Sequence, residues 1–405
     1  MVAEQSQYSF FNEEACTRCG ECFSRCPVMK LPLEEAKREI QRLIDGEKTK
    51  HILEKCESCF ACNYFCPNGC FPTELVLQRW YEEYKAKGLP ERARWFIAHG
   101  KPNFRTYALD RLPEDEKRTV ESWSKFKKSE TILYPGCNVI TIPSLTYTSL
   151  LKEYTIMGSL DLCCGETYYR TGMFDQARQA GLRLEKWFKR IGAKKVVMLC
   201  TAGCNMFTNV LPKRFGIKFD FEVVPFYRIL LDRLEKGEIK VKEKLNKTVT
   251  LQDSCYGRAF GDEYLDIPRR ILEIIGAKVV EMECTRDCAL CCGISGGFSF
   301  PRSYHPWTLT MATIRRLRQA AKTHADILGV YCAGCLQMLS VGKKVWPTRM
   351  PVYHLLELVQ MAIGEKPEHR CSQRAGTIFK GVILHQFPKT LSRKRFWVEE
   401  IKPEF

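Results

Sequence analysis

Residues 327–335 read Ile327-Leu328-Gly329-Val330-Tyr331-Cys332-Ala333-Gly334-Cys335, and residues 291–293 read Cys291-Cys292-Gly293. A short apolar run ending on a cysteine pair predicts a buried strand with metal-binding side chains on the loop beyond it. Adjacent cysteines diverge, so a doublet cannot easily face one tetrahedral ion. It can clamp two iron atoms of one polynuclear cluster. Cys255 follows another apolar run, Val249-Thr250-Leu251.

The plan recurs upstream, as Cys137, then Cys163-Cys164-Gly165, then Cys200 and Cys204. Thr131-Ile132-Leu133-Tyr134 precedes Cys137, and Lys195-Val196-Val197-Met198-Leu199 runs into Cys200. A helical stretch precedes each last pair, Gln176 to Ile191 in one copy and Leu309 to Ala321 in the other. Each copy closes on Pro-x-Tyr and an apolar helix: Pro225, Tyr227 and Leu230 in the first, Pro351, Tyr353 and Leu356 in the second. Strands alternating with helices predict two parallel α/β modules, 131–247 and 248–365, related by a pseudo-twofold axis. Ligands in such sheets gather beyond the carboxyl ends of the strands. That puts Cys137 and Cys200 at one rim, and Cys255 and Cys332 at the other.

Residues 1–84 carry a different pattern. Cys16-x2-Cys19-x2-Cys22-x3-Cys26-Pro27 is followed by Cys56-x2-Cys59-x2-Cys62-x3-Cys66-Pro67. This is the bacterial ferredoxin run written twice, in which the fourth cysteine ligates the other cluster. Cys16, Cys19, Cys22 and Cys66 then hold one cubane 4Fe-4S cluster, and Cys56, Cys59, Cys62 and Cys26 the second. Structural zinc needs four ligands and no third cysteine at this spacing. Ala36, Ile40, Leu43 and Ile44 recur at a helical period within residues 33–53, which predicts the helical type of two-cluster domain.

The 405 residues suffice for two or three domains, and 22 cysteines with no export signal at the start argue for metal ligation over disulfides. No apolar run approaches the roughly 20 residues of a membrane span. The expectation is a cytoplasmic protein, peripheral at most to the inner membrane face. The net charge of +16 belongs to the body and tail, the head being acidic. Without a nucleic-acid-binding motif, that charge points to an anionic substrate, an acidic partner or a membrane face. Residues 85–130 read as a connector whose Trp95, Phe96, Phe104 and Tyr107 pack on the body, with a short helix over Glu91–Ala98. Residues 366–405 read as a basic tail. Ile378, Val382, Ile383 and Leu384 look extended, and Lys389, Arg393, Lys394 and Arg395 interleave with Phe396 and Trp397. The tail is expected to be solvated, or to serve as a docking arm for a partner or an anionic membrane face.

With two ferredoxin runs ahead of two CCG modules, residues 12–365 resemble the family of heterodisulfide reductase D subunits, and are similar to the C subunit of anaerobic glycerol-3-phosphate dehydrogenase. The resemblance implies a non-cubane 4Fe-4S cluster in the second module, on Cys255, Cys291, Cys292, Cys332 and Cys335, where a disulfide is split in one-electron steps. It implies a second such site in the first module, on Cys137, Cys163, Cys164, Cys200 and Cys204. Departures from the family bear on both. Cys200 and Cys204 are separated by three residues where the family has two, which implies an altered first cluster. The family's HisAspProCysHis-like stretch reads Gln252-Asp253-Ser254-Cys255-Tyr256 here, so the flanking histidines are missing. Two functions follow as expectations. One is an oxidoreductase subunit reducing a disulfide or oxidising a thiol. The other is an electron-transfer subunit between a dehydrogenase or flavoprotein and a membrane quinone or cytochrome b. Both require partner redox subunits and exclude nucleic acid as a partner.

Other patterns carry less. Gly293-Ile294-Ser295-Gly296-Gly297 fits G-x-S-x-G, but it follows a cysteine doublet instead of a strand, so serine catalysis is not expected. Gly293, Gly296 and Gly297 are expected to let the backbone approach a cluster or substrate. No G-x-G-x-x-G or P-loop is present. His305, His324 and His354 read as surface or packing residues, Cys70 as a spare thiol, Cys284 and Cys288 as ordinary neighbours of the doublet, and Cys371 as a residue without a role.

Overall fold

The apolar runs before the cysteines are strands of two parallel sheets in the computed structural model, which describes residues 8–295 and 304–404. The first sheet contains β1 (Thr131–Tyr134), β2 (Thr155–Ile156), β3 (Lys195–Met198) and β4 (Glu222–Pro225), in the order β2-β1-β3-β4. The second contains β5 (Thr248–Gln252), β6 (Lys278–Val279), β7 (Ile327–Val330) and β8 (Val352–His354), in the order β6-β5-β7-β8. The strand order is therefore the same in both modules. Parallel neighbours need a crossover. Helix α1 (Phe174–Ile191) supplies one before β3, and α2 (Pro306–Ala321) one before β7. Both faces of each sheet are covered, which is why Ile132, Leu133, Val196, Val197, Val249, Leu251, Leu328 and Val330 are all buried.

The sheets share a core. Leu133, Val197 and Leu199 of the first module and Val249, Leu251 and Tyr331 of the second join one cluster, with Leu230 and Leu272 among the side chains that complete it. A fully buried aliphatic chain contributes about 1.5–3 kcal/mol, so this common core holds the modules as one body. In the head, the helix Leu33–Ile44 turns Ala36, Ile40 and Leu43 inward, as its period predicts. The Glu39 carboxylate accepts from the backbone N–H groups of Lys50, His51 and Ile52 at 2.9, 2.8 and 3.2 Å. That starts the short helix Ile52–Lys55, which brings the second ferredoxin run into place.

Three expectations change. The connector does bury Trp95, Phe96, Phe104 and Tyr107, but it is more than a strap, since it also buries Arg105. The segment around Ile378 is helical, not extended. Helix α4 (Cys371–Gly381) continues through a wide π-type turn over Val382–Gln386 and packs on α3 (Ala333–Val345). Nor is the tail simply solvated. Cys371, Ala375 and Ile378 are buried, Arg374 pairs with the buried Glu116, and Arg395-Phe396 forms an antiparallel ladder with Leu89-Pro90. Among the described residues no helix is long and apolar enough to cross a membrane.

Candidate metal centre

Each of the central parallel strands delivers a cysteine at its carboxyl end. β1 and β3 pair in register through Tyr134 and Met198, so Cys137 and Cys200 leave neighbouring strand ends. β5 and β7 pair through Gln252 and Val330, which does the same for Cys255 and Cys332. The doublets come from the loops before α1 and α2 and complete each group. Cys163 Sγ lies 4.0 Å from Cys137 Sγ, and the Cys163 thiol also meets Cys164. In the second module Cys255 meets Cys291, Cys291 meets Cys292, Cys292 meets Cys335, and Cys335 meets Cys332. Cys200 then contacts Cys332 across the module boundary. Nine of the ten cysteines expected in the modules thus form one array.

Cys204 stands apart. Burial pushes its thiol up to about 12, and no other thiol contributes. It lies one turn beyond Cys200 in the helix Thr201–Asn205, whereas the position matching Cys335, three residues after the strand-end cysteine, is Gly203. The extra residue turns the thiolate about 100° around the helix axis. A π-type turn at Met206–Val210 follows directly, the kind of wide turn that absorbs one surplus residue.

In the head the thiols group as the spacing predicts. Cys16, Cys19, Cys22 and Cys66 line one cavity of about 290 Å³. Burial pushes the Cys22 thiol up, and Cys66, Cys19 and Cys16 push it further. Burial likewise raises Cys56, with Cys59 and Cys26 adding to it, and Cys62, with Cys56 and Cys22 adding to it. Cys22 and Cys62 therefore bring the two head groups together. The Cys59 thiol in turn lies beside Cys291 of the second module. Two arginines hold that junction: Arg258 Nη1 donates to the Cys59 carbonyl at 2.8 Å, and Arg315 pairs with the buried Glu57.

The donor set suits iron–sulfur clusters. All the converging groups are soft thiols, and polar hydrogens aim at the sulfurs. Ser58 N–H reaches Cys56 Sγ at 3.3 Å and Cys70 N–H reaches Cys66 Sγ at 3.4 Å. The Ser295 hydroxyl donates to Cys291 Sγ at 2.8 Å. Among the described residues no three Cys, His, Asp or Glu side chains close on a point as one ion requires. Cys16, Cys19, Cys22 and Cys66 instead line a cavity.

Sequence reasoning missed the charges between the modules. Arg170 is fully buried. Its Nη2 donates to Cys255 Sγ at 3.4 Å and its Nε to Glu166 Oε1 at 2.5 Å, and the Tyr256 hydroxyl donates to the same carboxylate oxygen at 2.7 Å. Burial opposes the Arg170 charge, and Glu166, Tyr256, Cys255 and Cys291 more than offset it. Arg105 from the connector is likewise buried, and Cys137, Cys163 and Glu166 hold its charge. Two cations thus share one carboxylate at the module boundary, and among the described residues Arg170 Nη1 and Arg105 Nε have no hydrogen-bond partner. The spacing of Glu166 and Arg170, four residues apart after Cys164-Gly165, could have flagged a helical ion pair. Nothing in the sequence marked Arg105.

Gln252 and Asp253 have structural roles. The Gln252 amide donates to the Leu290 carbonyl at 3.1 Å, and Asp253 accepts two hydrogen bonds from Arg269 at 3.0 and 2.9 Å. Both brace the loop before the doublet. Gly293 yields space to a helix, not to a ligand: a Cβ there would fall 2.7 Å from Thr313 N. Gly296 and Gly297 lie outside the described residues. Cys284 and Cys288 meet each other, and Cys371 is buried against Ser340. One cleft reaches the array at Cys255 and is lined also by Phe60, Tyr64, Glu74, Lys213 and Arg214.

The comparisons agree with this arrangement. The 4Fe-4S dicluster domain family matches residues 9–67, and the cysteine-rich CCG domain family matches 145–208 and 249–340. The chain is 28% identical over 400 residues to the D subunit of the dihydromethanophenazine:CoB–CoM heterodisulfide reductase of Methanosarcina mazei, covering 87% of this chain and 94% of that one. It is 25% identical to FadF of Bacillus subtilis, named a probable iron–sulfur-binding oxidoreductase, covering 86% of this chain and 46% of the relative. It is 24% identical to the EtfAB:quinone oxidoreductase of Syntrophomonas wolfei, covering 81% and 43%.

Proposed function

We propose that this chain, which carries matches to the cysteine-rich CCG domain and the 4Fe-4S dicluster domain and is similar to heterodisulfide reductase D subunits, is the sulfur-handling subunit of a redox complex, reducing an anionic disulfide or running the reverse thiol oxidation. The observation that carries this reading is the cleft that Cys255 helps to line. A protein that only relays electrons has no need of a cleft open to a ligand thiol. Reduction takes two electrons and two protons per disulfide and releases two thiols. Bound at the two head groups and the module array, iron–sulfur clusters would supply those electrons singly and offer iron to a half-reduced sulfur. Cys16, Cys19, Cys22 and Cys66 would hold one cubane, Cys26, Cys56, Cys59 and Cys62 the other. Cys255, Cys291, Cys292, Cys332 and Cys335 would hold a non-cubane cluster, and Cys137, Cys163, Cys164 and Cys200 a further one.

The chain's own residues do the rest. Lys213 at the cleft favours an anionic substrate, while Arg214 is paired there with the buried Glu74. Phe60 and Tyr64 narrow the approach, and Arg170 keeps a fixed positive charge where sulfur gains electrons. Glu57 and Arg258 keep the head's second group against the doublet, so that each electron has a short way to travel.

The test is electron paramagnetic resonance on the anaerobically purified, oxidised protein, with and without small anionic thiols, alongside iron counting. A paramagnetic species that appears only with thiol, and is lost in Cys291→Ala and Cys292→Ala, is the expected result. Clusters that titrate but ignore every thiol would favour an electron-transfer role, serving a dehydrogenase or flavoprotein and a membrane quinone or cytochrome b. The displaced Cys204 is the observation on that side.

A further inference from the structure

The C-terminal helix turns Cys371, Ala375 and Ile378 inward onto α3. Beyond Gly381, the π-type turn and the 3-10 turn that follow present Ile383, Leu384 and Phe387 to solvent, and Leu391 comes next. Ile383 is 50% exposed, Leu384 62%, Phe387 63% and Leu391 93%. A surface helix ordinarily turns charged or polar residues outward. Large exposed apolar residues clustered in this way mark an interaction surface.

The surroundings extend the patch. Trp307 and Met311 on α2 and Val345 on α3 are also exposed, and an apolar cleft lined by Pro306, Val345, Phe379 and Val382 places α2, α3 and the C-terminal helix side by side. Trp397 follows on the chain, with its indole N–H on the Lys85 carbonyl and more than half its surface exposed. Charge decides between occupants. Residues 371–395 contain Arg374, Lys380, Lys389, Arg393, Lys394 and Arg395 and no aspartate or glutamate. Of these, Lys380, Arg393, Lys394 and Arg395 are exposed.

We infer that this face lies on an anionic membrane surface, with Ile383, Leu384, Phe387 and Leu391 entering the boundary between headgroups and acyl chains and the basic residues meeting the headgroups. An in-plane helix that combines large apolar side chains, a nearby tryptophan and one-sided positive charge has the composition of an interfacial anchor. The chain needs no span for this. It would hold its redox array beside the bilayer while leaving the cleft at Cys255 clear.

The experiment is co-sedimentation of the full, cluster-loaded chain with protein-free vesicles, of phosphatidylcholine alone or of phosphatidylcholine with phosphatidylglycerol. Binding to the anionic vesicles, little to the neutral ones, and release as salt rises is the expected result. The triple variant Ile383→Glu/Leu384→Glu/Phe387→Glu should bind about tenfold more weakly. Should it fail to fold, Leu391→Glu alters a fully solvated side chain and should weaken binding by itself. Absence of wild-type binding to anionic vesicles would overturn the inference, and so would equal binding by the variants. Association only with membranes that carry an integral redox protein would also overturn it, assigning the face to a protein partner.

Discussion

Arg170 of the first module donates to Cys255 Sγ of the second at 3.4 Å, while its Nε holds Glu166. One buried guanidinium therefore joins the modules and sets a positive charge against the sulfur array. It should make added electrons easier to hold. A charge at this range, in an effective dielectric of about 20, is worth on the order of 5 kcal/mol, which the Glu166 carboxylate beside it reduces.

Replacing Arg170 with glutamine should therefore lower the midpoint potential of the cluster at Cys255 by on the order of 100 mV. Arg170→Lys, which keeps a charge, should recover much of that shift. Redox titration followed by electron paramagnetic resonance reads it directly. An unchanged potential in Arg170→Gln would leave Arg170 a packing residue.

Cys200 and Cys204 should separate in an iron count. Cys200 contacts Cys332 and lies beside Cys164, whereas Cys204 meets no other thiol. Cys200→Ala should lose up to about four irons per chain, one cluster's worth. Cys204→Ala should keep its iron and lose only packing, about 1 kcal/mol. Iron loss from Cys204→Ala would mean that the helix rewinds when loaded.

Much of this architecture is legible in the sequence because its signals are local. Val196-Val197 and Leu328-Gly329-Val330 are continuous runs, since sheets covered on both faces need them. The ferredoxin spacing identifies the two head groups. Three things escape it. Arg105 reaches Cys137 from a connector with no motif, so only the folded chain brings it to the site. Cys204 fits the repeat when residues are counted, but a helix turns each added residue about 100°, and counting ignores that. The segment from Ile378 to Leu384 reads as extended because apolar residues lie on both faces of a helix and blur its period. That same blur is the signature of the exposed patch.

Gly293 should tolerate no side chain. Its φ is +108°, and a Cβ would overlap Thr313 Oγ1 of α2 and fall 2.7 Å from the backbone nitrogen of that residue. Gly192, at φ +74° after α1, has open space around it. Gly192→Ala should cost about 1 kcal/mol, for the left-handed backbone alone. Gly293→Ala adds overlap with a helix backbone, on the order of 3 kcal/mol in total, and should also shed iron by shifting Cys291 and Cys292. Thermal unfolding and iron content of the pair test this. Equal losses in both would remove the packing argument.

His354 predicts how acid acts on the fold. It is buried, caps the helix Leu355–Ala362 through Nδ1, and lies 3.3 Å from the Tyr227 hydroxyl through Nε2. Burial pushes it down to about 4, against opposing pulls from Glu357 and Cys332. The folded state thus keeps His354 neutral where an unfolded chain, with an ordinary value near 6.5, would bind a proton. Its contribution is whole above about pH 6.5 and is lost as pH falls toward about 4, on the order of 3 kcal/mol across that window. Asparagine can cap a helix without titrating, so His354→Asn should flatten stability between those values. Denaturant unfolding at several pH values, on both proteins, measures the difference. Parallel pH profiles would assign the acid sensitivity to other groups.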